Sequence, residues 1–306
     1  MEKDMRIGIV GFDTSHVPAF TRLLGDSNAP FFVPGGKVVA GFPSFSPDLE
    51  ASASRVEGFK KEMTENLGVK LVNSVEELIA EVDAVLLESV DGRRHLKEAG
   101  PVIKAHKPLF IDKPLSANYP EAAEIVRLAK ENSCPLFSSS SLRFDANIAK
   151  VKKDPELGEV FACDAFSPAT LDPTNPGLFW YGIHGVEILY TFMGPGCQRI
   201  TSYQTENYHL VVGHWSRGRI ATVRGGRCGA HDYGATVFGA KKVSQALYSR
   251  EIPLYSQLLR EIIPFFKGGP APVAPEETLE IMAFMEAALL SEKEHREVAL
   301  SEVTRK

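Results

Sequence analysis

The sequence predicts an α/β protein with two domains: a Rossmann-type, doubly wound parallel sheet, then an α/β domain with a largely antiparallel open sheet. Three observations predict it. Short apolar runs alternate with helical patterns in the first half, strand-like runs follow one another in the second, and 306 residues are about twice an average domain length. We expect the domains to span residues 1–143 and 144–306, and the last helix could pack back on the first domain.

The first half contains five strand-like runs at a spacing that suits right-handed βαβ crossovers, which favours a parallel sheet covered on both faces. Residues 7–10 form the first run, Ser15 could cap the next helix, and Pro18 suits the first turn of that helix. A capping-box pattern runs from Ser74 to Glu77. The other predicted strands are residues 37–41, 83–87, 108–111 and a run from 135; the predicted helices are residues 19–24, 75–79, 96–105 and 118–132.

The pattern changes after about residue 145, where consecutive strand-like runs predict antiparallel pairing. These runs are residues 160–166, 200–203, 210–212, 219–224 and 233–239. One helix, over residues 182–192, lies among them, and helices over residues 254–266 and 276–292 follow.

The composition argues against several classes of partner. A net charge of −5 supplies no basic field for nucleic acid or an anionic membrane. No apolar run approaches the roughly 20 residues that span a bilayer, and the N-terminal residues lack a signal-peptide pattern, so we expect a cytoplasmic protein. The four cysteines show no Cys-x-x-Cys spacing and the eight histidines are scattered, so we expect neither a disulfide framework nor a metal.

Ligands of doubly wound sheets bind outside the carboxyl ends of the strands, where residues 11–16, 89–95 and 112–114 are expected to meet. A Gly-x-Gly-x-x-Gly fingerprint that begins at Gly11 would place Asp13 and His16 at its second and third glycines. Asp13 puts a negative charge beside a phosphate, although Thr14 and Ser15 can donate hydrogen bonds at a helix N-terminus. A dinucleotide site and an ordinary capped turn both remain open.

Two further residues are candidates for acid–base chemistry. Lys113 follows a buried strand and precedes a proline, so it could be held firmly enough to polarise a substrate hydroxyl. His184 lies between glycines near the start of a helix and could exchange a proton near neutral pH. A surface lysine and a structural histidine are the alternative interpretations.

Taken together, these segments resemble the Gfo/Idh/MocA family of glucose–fructose oxidoreductase, inositol dehydrogenase and rhizopine-catabolism enzymes. The motifs are Lys107-Pro108 leading to Asp112-Lys113-Pro114-Leu115, and Gly182-Ile183-His184-Gly185-Val186-Glu187. The resemblance implies NAD or NADP as the cofactor, a second domain that binds substrate and oligomerises, Lys113 beside the nicotinamide, and His184 as the proton acceptor. It also implies cofactor contacts from Gly11, Phe12, Thr14, Ser15, His16, Ser89, His95 and Asp112, and substrate contacts from Lys113, Arg143, Trp180, Tyr181 and His184.

The chain departs from the family at three points. The glycine fingerprint is degenerate, and the end of the second strand carries no carboxylate for a ribose, so NAD and NADP are not distinguished. Trp180 stands where the family often has an aspartate; Asp172, Glu187 or Asp232 could replace that acid.

The resemblance leads to one expected function and two alternatives. We expect an oxidoreductase that transfers a hydride between NAD(P) and a sugar, polyol or related small molecule bound between the domains, in a homo-oligomer formed through the exposed face of the second sheet. A non-catalytic dinucleotide or sugar sensor, or a lyase or epimerase with tightly held NAD, would use the same fold.

Overall fold

The computed structural model describes residues 4–305, so residues 1–3, on which the signal-peptide argument partly rests, and residue 306 lie outside it. The chain forms two compact units. Unit 1 comprises the described residues up to Ser116 together with Glu121–Ser139 and Ile252–Pro275, and unit 2 comprises Ala117–Pro120, Ser140–Glu251 and the described residues from Glu276 onward. The change after Ser139 lies close to the boundary that the sequence predicts at residue 143. The segment Ile252–Pro275 joins the first unit, whereas the sequence-based division assigns it to the second.

The strands belong to two sheets. They are β1 Met5–Val10, β2 Gly36–Phe42, β3 Lys70–Leu71, β4 Ala84–Leu87, β5 Leu109–Asp112, β6 Leu136–Ser139, β7 Val160–Pro168, β8 Cys197–Gln204, β9 Tyr208–Trp215, β10 Ile220–Gly226, β11 Gly234–Gly239, β12 Val243–Leu247 and β13 Val298–Ala299.

The α-helices cover most of the predicted segments. They are α1 His16–Gly25, α2 Glu50–Ala53, α3 Val56–Lys61, α4 Val75–Glu81, α5 His95–Lys104, α6 Tyr119–Glu131, α7 Ala146–Lys152, α8 Ile183–Met193, α9 Leu254–Phe266, α10 Pro275–Glu294 and α11 Leu300–Thr304. Between residues 4 and 305, no helix combines the length and the hydropathy that a membrane crossing requires.

Unit 1 is built on a six-stranded sheet in the order β3-β2-β1-β4-β5-β6, with every neighbouring pair parallel. The sheet runs outward from β1 in both directions, as in Rossmann folds, so the strand order reverses between β1 and β4. Every residue of β4 and β5 is buried, because helices cover both faces. The predicted doubly wound parallel sheet is confirmed.

The helix caps in unit 1 match the sequence prediction in part. The Ser74 hydroxyl accepts a hydrogen bond from the Glu77 backbone N–H at 3.1 Å, as the capping box predicts. The Glu77 carboxylate reaches back to the Asn73 N–H at 2.9 Å instead of the Ser74 N–H. Ser15 precedes α1 but makes no capping hydrogen bond, so the predicted serine cap is wrong.

Unit 2 contains a seven-stranded sheet in the order β12-β11-β7-β10-β9-β8-β13. Its neighbours pair antiparallel except β7 and β10, which are parallel. Helix α8 packs against β7, β10 and β11, and its Val186 and Leu189 side chains are fully buried. The largely antiparallel sheet is therefore confirmed, and β12 and β13 are additions that the sequence patterns do not predict.

Candidate functional site

The turn after β1 requires glycine at its first position. Gly11 has φ +88°, and a Cβ built there would lie 2.3 Å from the backbone nitrogen of Ser89. Phe12 is fully buried, and its ring lies against Gly41, where a Cβ would meet Phe12 Cζ at 2.4 Å. Because its side chain is buried, Phe12 can contact a cofactor only through its backbone atoms.

Asp13, the residue at the second glycine position, turns its side chain into the protein. One carboxylate oxygen accepts from the Ser52 hydroxyl at 2.6 Å and the other from the Val90 N–H at 3.0 Å. Burial raises the pKa of Asp13, and the two hydrogen bonds, which lower that pKa, offset the effect only in part. The charge is therefore held inside, and the repulsion that the sequence suggests between Asp13 and a phosphate is weaker than its position implies.

The N-terminus of α1 completes this turn. Thr14 is nearly buried, Ser15 is exposed, and the Ser15 Oγ lies 3.4 Å from the Tyr255 hydroxyl of α9. A helix N-terminus without a side-chain cap favours an anion through its N–H groups and its dipole. With Gly11 in the left-handed region and Asp13 directed inward, the turn fits the phosphates of a dinucleotide.

His16, the residue at the third glycine position, meets two acids from the neighbouring strands. We call His16, Glu88 and Asp112 the edge cluster. The Nδ1 atom of His16 lies 3.2 Å from Glu88 Oε2 and 3.0 Å from Asp112 Oδ2. Glu88 is fully buried, Asp112 is 4% exposed, and the His16 ring packs against Tyr255 and Phe20 at centroid distances of 4.5 and 5.4 Å.

Strong electrostatic coupling holds the edge cluster together. Burial raises the pKa of Glu88 to about 7, although hydrogen bonding to His16 opposes this. Burial lowers the pKa of His16, but the charge of Asp112 and the hydrogen bonds to Asp112 and Glu88 outweigh burial and hold that pKa well above its usual value. Burial also raises the pKa of Asp112, and His16 more than offsets this, so the pKa of Asp112 falls to about 2. Near neutral pH the imidazole is the protonated partner of Asp112.

Lys113 follows Asp112 directly and is half-buried. Its ammonium group lowers the pKa of both Glu88 and Asp112, so it lies within electrostatic range of the edge cluster. The peptide bond from Lys113 to Pro114 is cis. The structure thus brings the predicted residues His16, Asp112 and Lys113 to the carboxyl ends of β1 and β5.

The side chains of Ser89 and His95 form hydrogen bonds in and around the loop after β4. The Ser89 hydroxyl donates to Glu98 Oε2 at 2.6 Å, and the side chain is fully buried. The buried His95 ring lies with Nε2 at 2.7 Å from the Ser89 carbonyl and Nδ1 at 3.3 Å from the Leu115 carbonyl. Protein groups thus engage both side chains, and the direct cofactor contacts of Ser89 and His95 stay predictions.

Charged residues also meet near the end of β2, where sequence analysis finds no ribose acid. The Arg93 guanidinium donates to Asp48 at 2.9 Å and to Asp91 at 2.6 Å. Arg94 donates to Glu98 at 2.8 Å and to Ser44 at 2.7 Å. The two arginines are thus bound by protein carboxylates.

In unit 2, His184 lies at the start of α8 beside a serine and two tyrosines. His184 Nδ1 is 2.7 Å from the Ser140 hydroxyl. The rings of Tyr181 and Tyr233 contact the imidazole edge-on at centroid distances of 5.0 and 5.7 Å, and their hydroxyls lie 2.9 Å apart. Ser140 and the two rings therefore fix the orientation of the imidazole.

Arg143 forms a buried ion-pair network. Its Nε donates to Glu187 Oε2 at 2.8 Å and its Nη1 to Glu277 Oε1 at 2.6 Å, while Glu187 Oε1 accepts from the Ser140 N–H at 3.2 Å. The Arg143 side chain is 10% exposed. Arg143 thus holds Glu187, which supports the serine that contacts His184, and the substrate contact of Arg143 stays a prediction.

The other acids proposed to replace the family aspartate have partners of their own. Asp232 pairs with Arg250 at 2.8 Å, and Asp172 accepts from the hydroxyl and N–H of Thr174. Trp180 is half-buried at the turn before α8.

Sequence reasoning missed Glu88, Ser140, Tyr233 and Tyr255. Glu88 carried a signal: it is a charged residue directly after four buried apolar residues at a strand end. Its backbone N–H donates to the Val10 carbonyl at 2.7 Å, so it is held against β1. The other three gain their places from tertiary packing.

Comparisons with known proteins agree with a dinucleotide-binding fold in the first part of the chain. Residues 5–140 match the family model GFO_IDH_MocA, described as an oxidoreductase family with an NAD-binding Rossmann fold. The chain is 33% identical over 128 residues to a myo-inositol 2-dehydrogenase of Thermotoga maritima; the match spans 41% of this chain but only 38% of that relative.

Solved structures share the fold over nearly the whole chain. A probable dehydrogenase from Thermotoga maritima superimposes with a TM-score of 0.79 at 22% identity, covering 98% of this chain and 100% of that one. Scyllo-inositol dehydrogenase from Lactobacillus casei, with bound NAD(H) and scyllo-inositol, gives 0.78 at 15% identity, with 98% and 100% coverage. Residues 5–140 thus match the Gfo/Idh/MocA oxidoreductase family, as the motifs in this part of the chain predict.

Proposed function

We propose that the protein is an NAD(P)-dependent oxidoreductase that interconverts a hydroxyl and a carbonyl group on a sugar, polyol or related compound. The observation that carries the proposal is Lys113, held at the carboxyl end of β5 beside Asp112, in a domain whose sequence matches an NAD-binding family. Bound nicotinamide would accept or donate the hydride. The inositol dehydrogenases among its relatives support the substrate class.

Lys113 is proposed to polarise the substrate oxygen. An ammonium group next to the buried carboxylate of Asp112 is held in place by charge, and it can donate a hydrogen bond to an alcohol or carbonyl oxygen. Donation to the oxygen stabilises the negative charge that develops there as the hydroxyl proton is removed or, in the reverse reaction, as the hydride arrives.

His184 is proposed to take the hydroxyl proton and to return it in the reverse reaction. Its Nδ1 faces the Ser140 hydroxyl. A hydrogen bond at one ring nitrogen determines whether the other nitrogen carries the proton or can accept one. Tyr181 packs on the ring and, with Trp180, is proposed to contact the substrate. Gly11, Thr14, Ser15, His16 and Asp112 are proposed to line the cofactor site, with Phe12 contributing its backbone.

A turnover assay tests this proposal. We would follow the absorbance of reduced nicotinamide with a panel of inositols, sugars and sugar acids, using wild type, Lys113→Met and Lys97→Met. Lys97 is an exposed lysine of α5 in the same unit and serves as the matched control. Lys113→Met should lower kcat by at least about 100-fold, with Lys97→Met near wild type. Full turnover by Lys113→Met would remove Lys113 from the mechanism, and nucleotide binding without turnover of any substrate would favour a sensor.

We also propose that the second sheet mediates self-association. Large apolar side chains are exposed on three of its strands: Tyr203 is 61%, Val243 59% and Ile220 43% exposed. We propose that these side chains belong to one contiguous apolar patch, which would mark an interaction surface. Light scattering should give a multiple of the 33.5 kDa chain mass, and Tyr203→Glu should shift it toward that mass; a wild-type monomer at micromolar concentration would refute the proposal.

A further inference from the structure

The edge cluster has the composition of a metal site. We propose that His16, Glu88 and Asp112 bind one divalent transition-metal ion of the Zn²⁺ or Mn²⁺ class. The family fold does not require this ion, and the inference goes beyond the proposed oxidoreductase function. It also does not depend on a bound nucleotide.

The three residues reach one point from separate parts of the chain. His16 opens α1 after β1, Glu88 follows β4, and Asp112 ends β5. These strands are neighbours in the order β1-β4-β5, and parallel strands end at the same edge. Backbone pairing of the sheet therefore fixes the spacing of all three side chains, as a preformed ligand set requires.

The distances suit a small cation. One ligand atom from each residue lies within 4.8 Å of the others, and His16 Nδ1 is 3.2 and 3.0 Å from the two carboxylate oxygens. Ligands about 2.0–2.2 Å from a zinc ion lie roughly 3–3.5 Å from one another in tetrahedral or octahedral geometry. Both nitrogen–oxygen distances fall in that range.

Two carboxylate oxygens provide an independent observation. Glu88 Oε1 and Asp112 Oδ1 are buried and have no hydrogen-bond partner. Buried carboxylates normally engage every oxygen, because an unpaired one loses water without compensation. By contrast, both oxygens of the nearby buried Asp13 accept hydrogen bonds. A cation held by both oxygens of each carboxylate would satisfy these two atoms as well as Glu88 Oε2 and Asp112 Oδ2.

The two acids of the edge cluster together match the charge of one divalent ion. Two buried carboxylates face one imidazole, and the other titratable groups that act on them are Lys113 and Tyr255. A divalent ion would replace the proton on His16 and neutralise both acids.

The ligand chemistry selects the kind of metal. Imidazole nitrogen with carboxylate oxygen suits zinc, manganese and iron, whereas Mg²⁺ and Ca²⁺ prefer all-oxygen sites. Three protein ligands leave at least one coordination position for water or a substrate oxygen, as in catalytic zinc sites.

Calorimetry with the metal alone tests the proposal. Wild-type protein freed of metal by a chelator should bind one Zn²⁺ per chain, and Mg²⁺ at least about tenfold more weakly. Glu88→Gln and Asp112→Asn should each weaken Zn²⁺ binding by at least about tenfold, since even supporting residues have effects of that size. Asp13→Asn, a buried aspartate with both oxygens satisfied, should bind like wild type.

A spectroscopic measurement on the wild type covers the case in which a variant fails to fold. The electron spin echo of Mn²⁺-loaded protein should show coupling to an imidazole nitrogen. Absence of stoichiometric Zn²⁺ binding would overturn the proposal. So would equal affinity in wild type and a folded Glu88→Gln variant, or a Mn²⁺ signal without nitrogen coupling.

Discussion

The buried pair of Arg143 and Glu187 allows a quantitative prediction about unit 2. Replacing Arg143 with methionine keeps most of the side-chain volume but removes the charge. Glu187, only 1% exposed, then loses its guanidinium, whereas the Glu277 side chain is 19% exposed and can regain water. The cost should therefore come mainly from Glu187.

The magnitude follows from the burial of the pair. Removing one partner of a buried ion pair costs roughly 3–5 kcal/mol because the other charge is left without compensation. Glu187→Gln should cost less, about 1–3 kcal/mol, since Arg143 keeps Glu277 at 2.6 Å. Combining the two substitutions removes both charges, so the double variant should be more stable than Arg143→Met alone.

Urea unfolding measures this double-mutant cycle. Both tryptophans, Trp180 and Trp215, lie in unit 2, so their fluorescence reports its unfolding. We expect a coupling free energy of at least about 1 kcal/mol between Arg143 and Glu187. A loss below about 1 kcal/mol for Arg143→Met, or additive effects, would refute the reasoning that Glu187 needs this partner.

Two further predictions concern unit 1. Gly11→Ala should destabilise the chain by at least about 2 kcal/mol, because the residue has a positive φ and its new Cβ would lie 2.3 Å from the Ser89 backbone nitrogen. Urea unfolding measures this loss, with Gly25→Ala as the control because a Cβ there would meet no other atom. Equal stabilities of the two variants would contradict the prediction. Hydrogen bonds and charge from Arg6 hold the pKa of Asp83 below its usual value, so its contribution is present above about pH 4 and declines as pH falls. The difference in unfolding free energy between wild type and Asp83→Asn should therefore shrink from about pH 6 to about pH 3, and a constant difference would count against it.

The sequence was sufficient for the parallel sheet because its signals are local. The apolar runs of β4 and β5 are buried on both faces, and their spacing suits crossover helices. Strand β12, Val243–Leu247, escapes prediction because exposed and half-buried residues make up most of it. The assignment of α9 to unit 1 depends on tertiary packing against α1, which periodicity does not encode.

The candidate site likewise combines residues that local motifs reveal with residues that only tertiary contacts bring together. Lys113 and His184 stand in recognisable motifs, so sequence alone selects them. The inward orientation of Asp13 depends on Ser52, 39 positions away, and the edge cluster joins residues 72 positions apart. Contacts between residues so far apart leave no local sequence pattern. The sequence alone therefore suggests that Asp13 faces a phosphate, and it gives no sign of a metal site.

We expect the carboxyl edge of the first sheet to bind a nicotinamide dinucleotide. Calorimetric titration of the wild-type protein with NAD, NADH, NADP and NADPH tests it most directly. The account predicts saturable binding of at least one of them at one per chain, weakened in a Ser15→Glu variant that places a negative charge at the start of α1. Binding of none of the four would contradict the account.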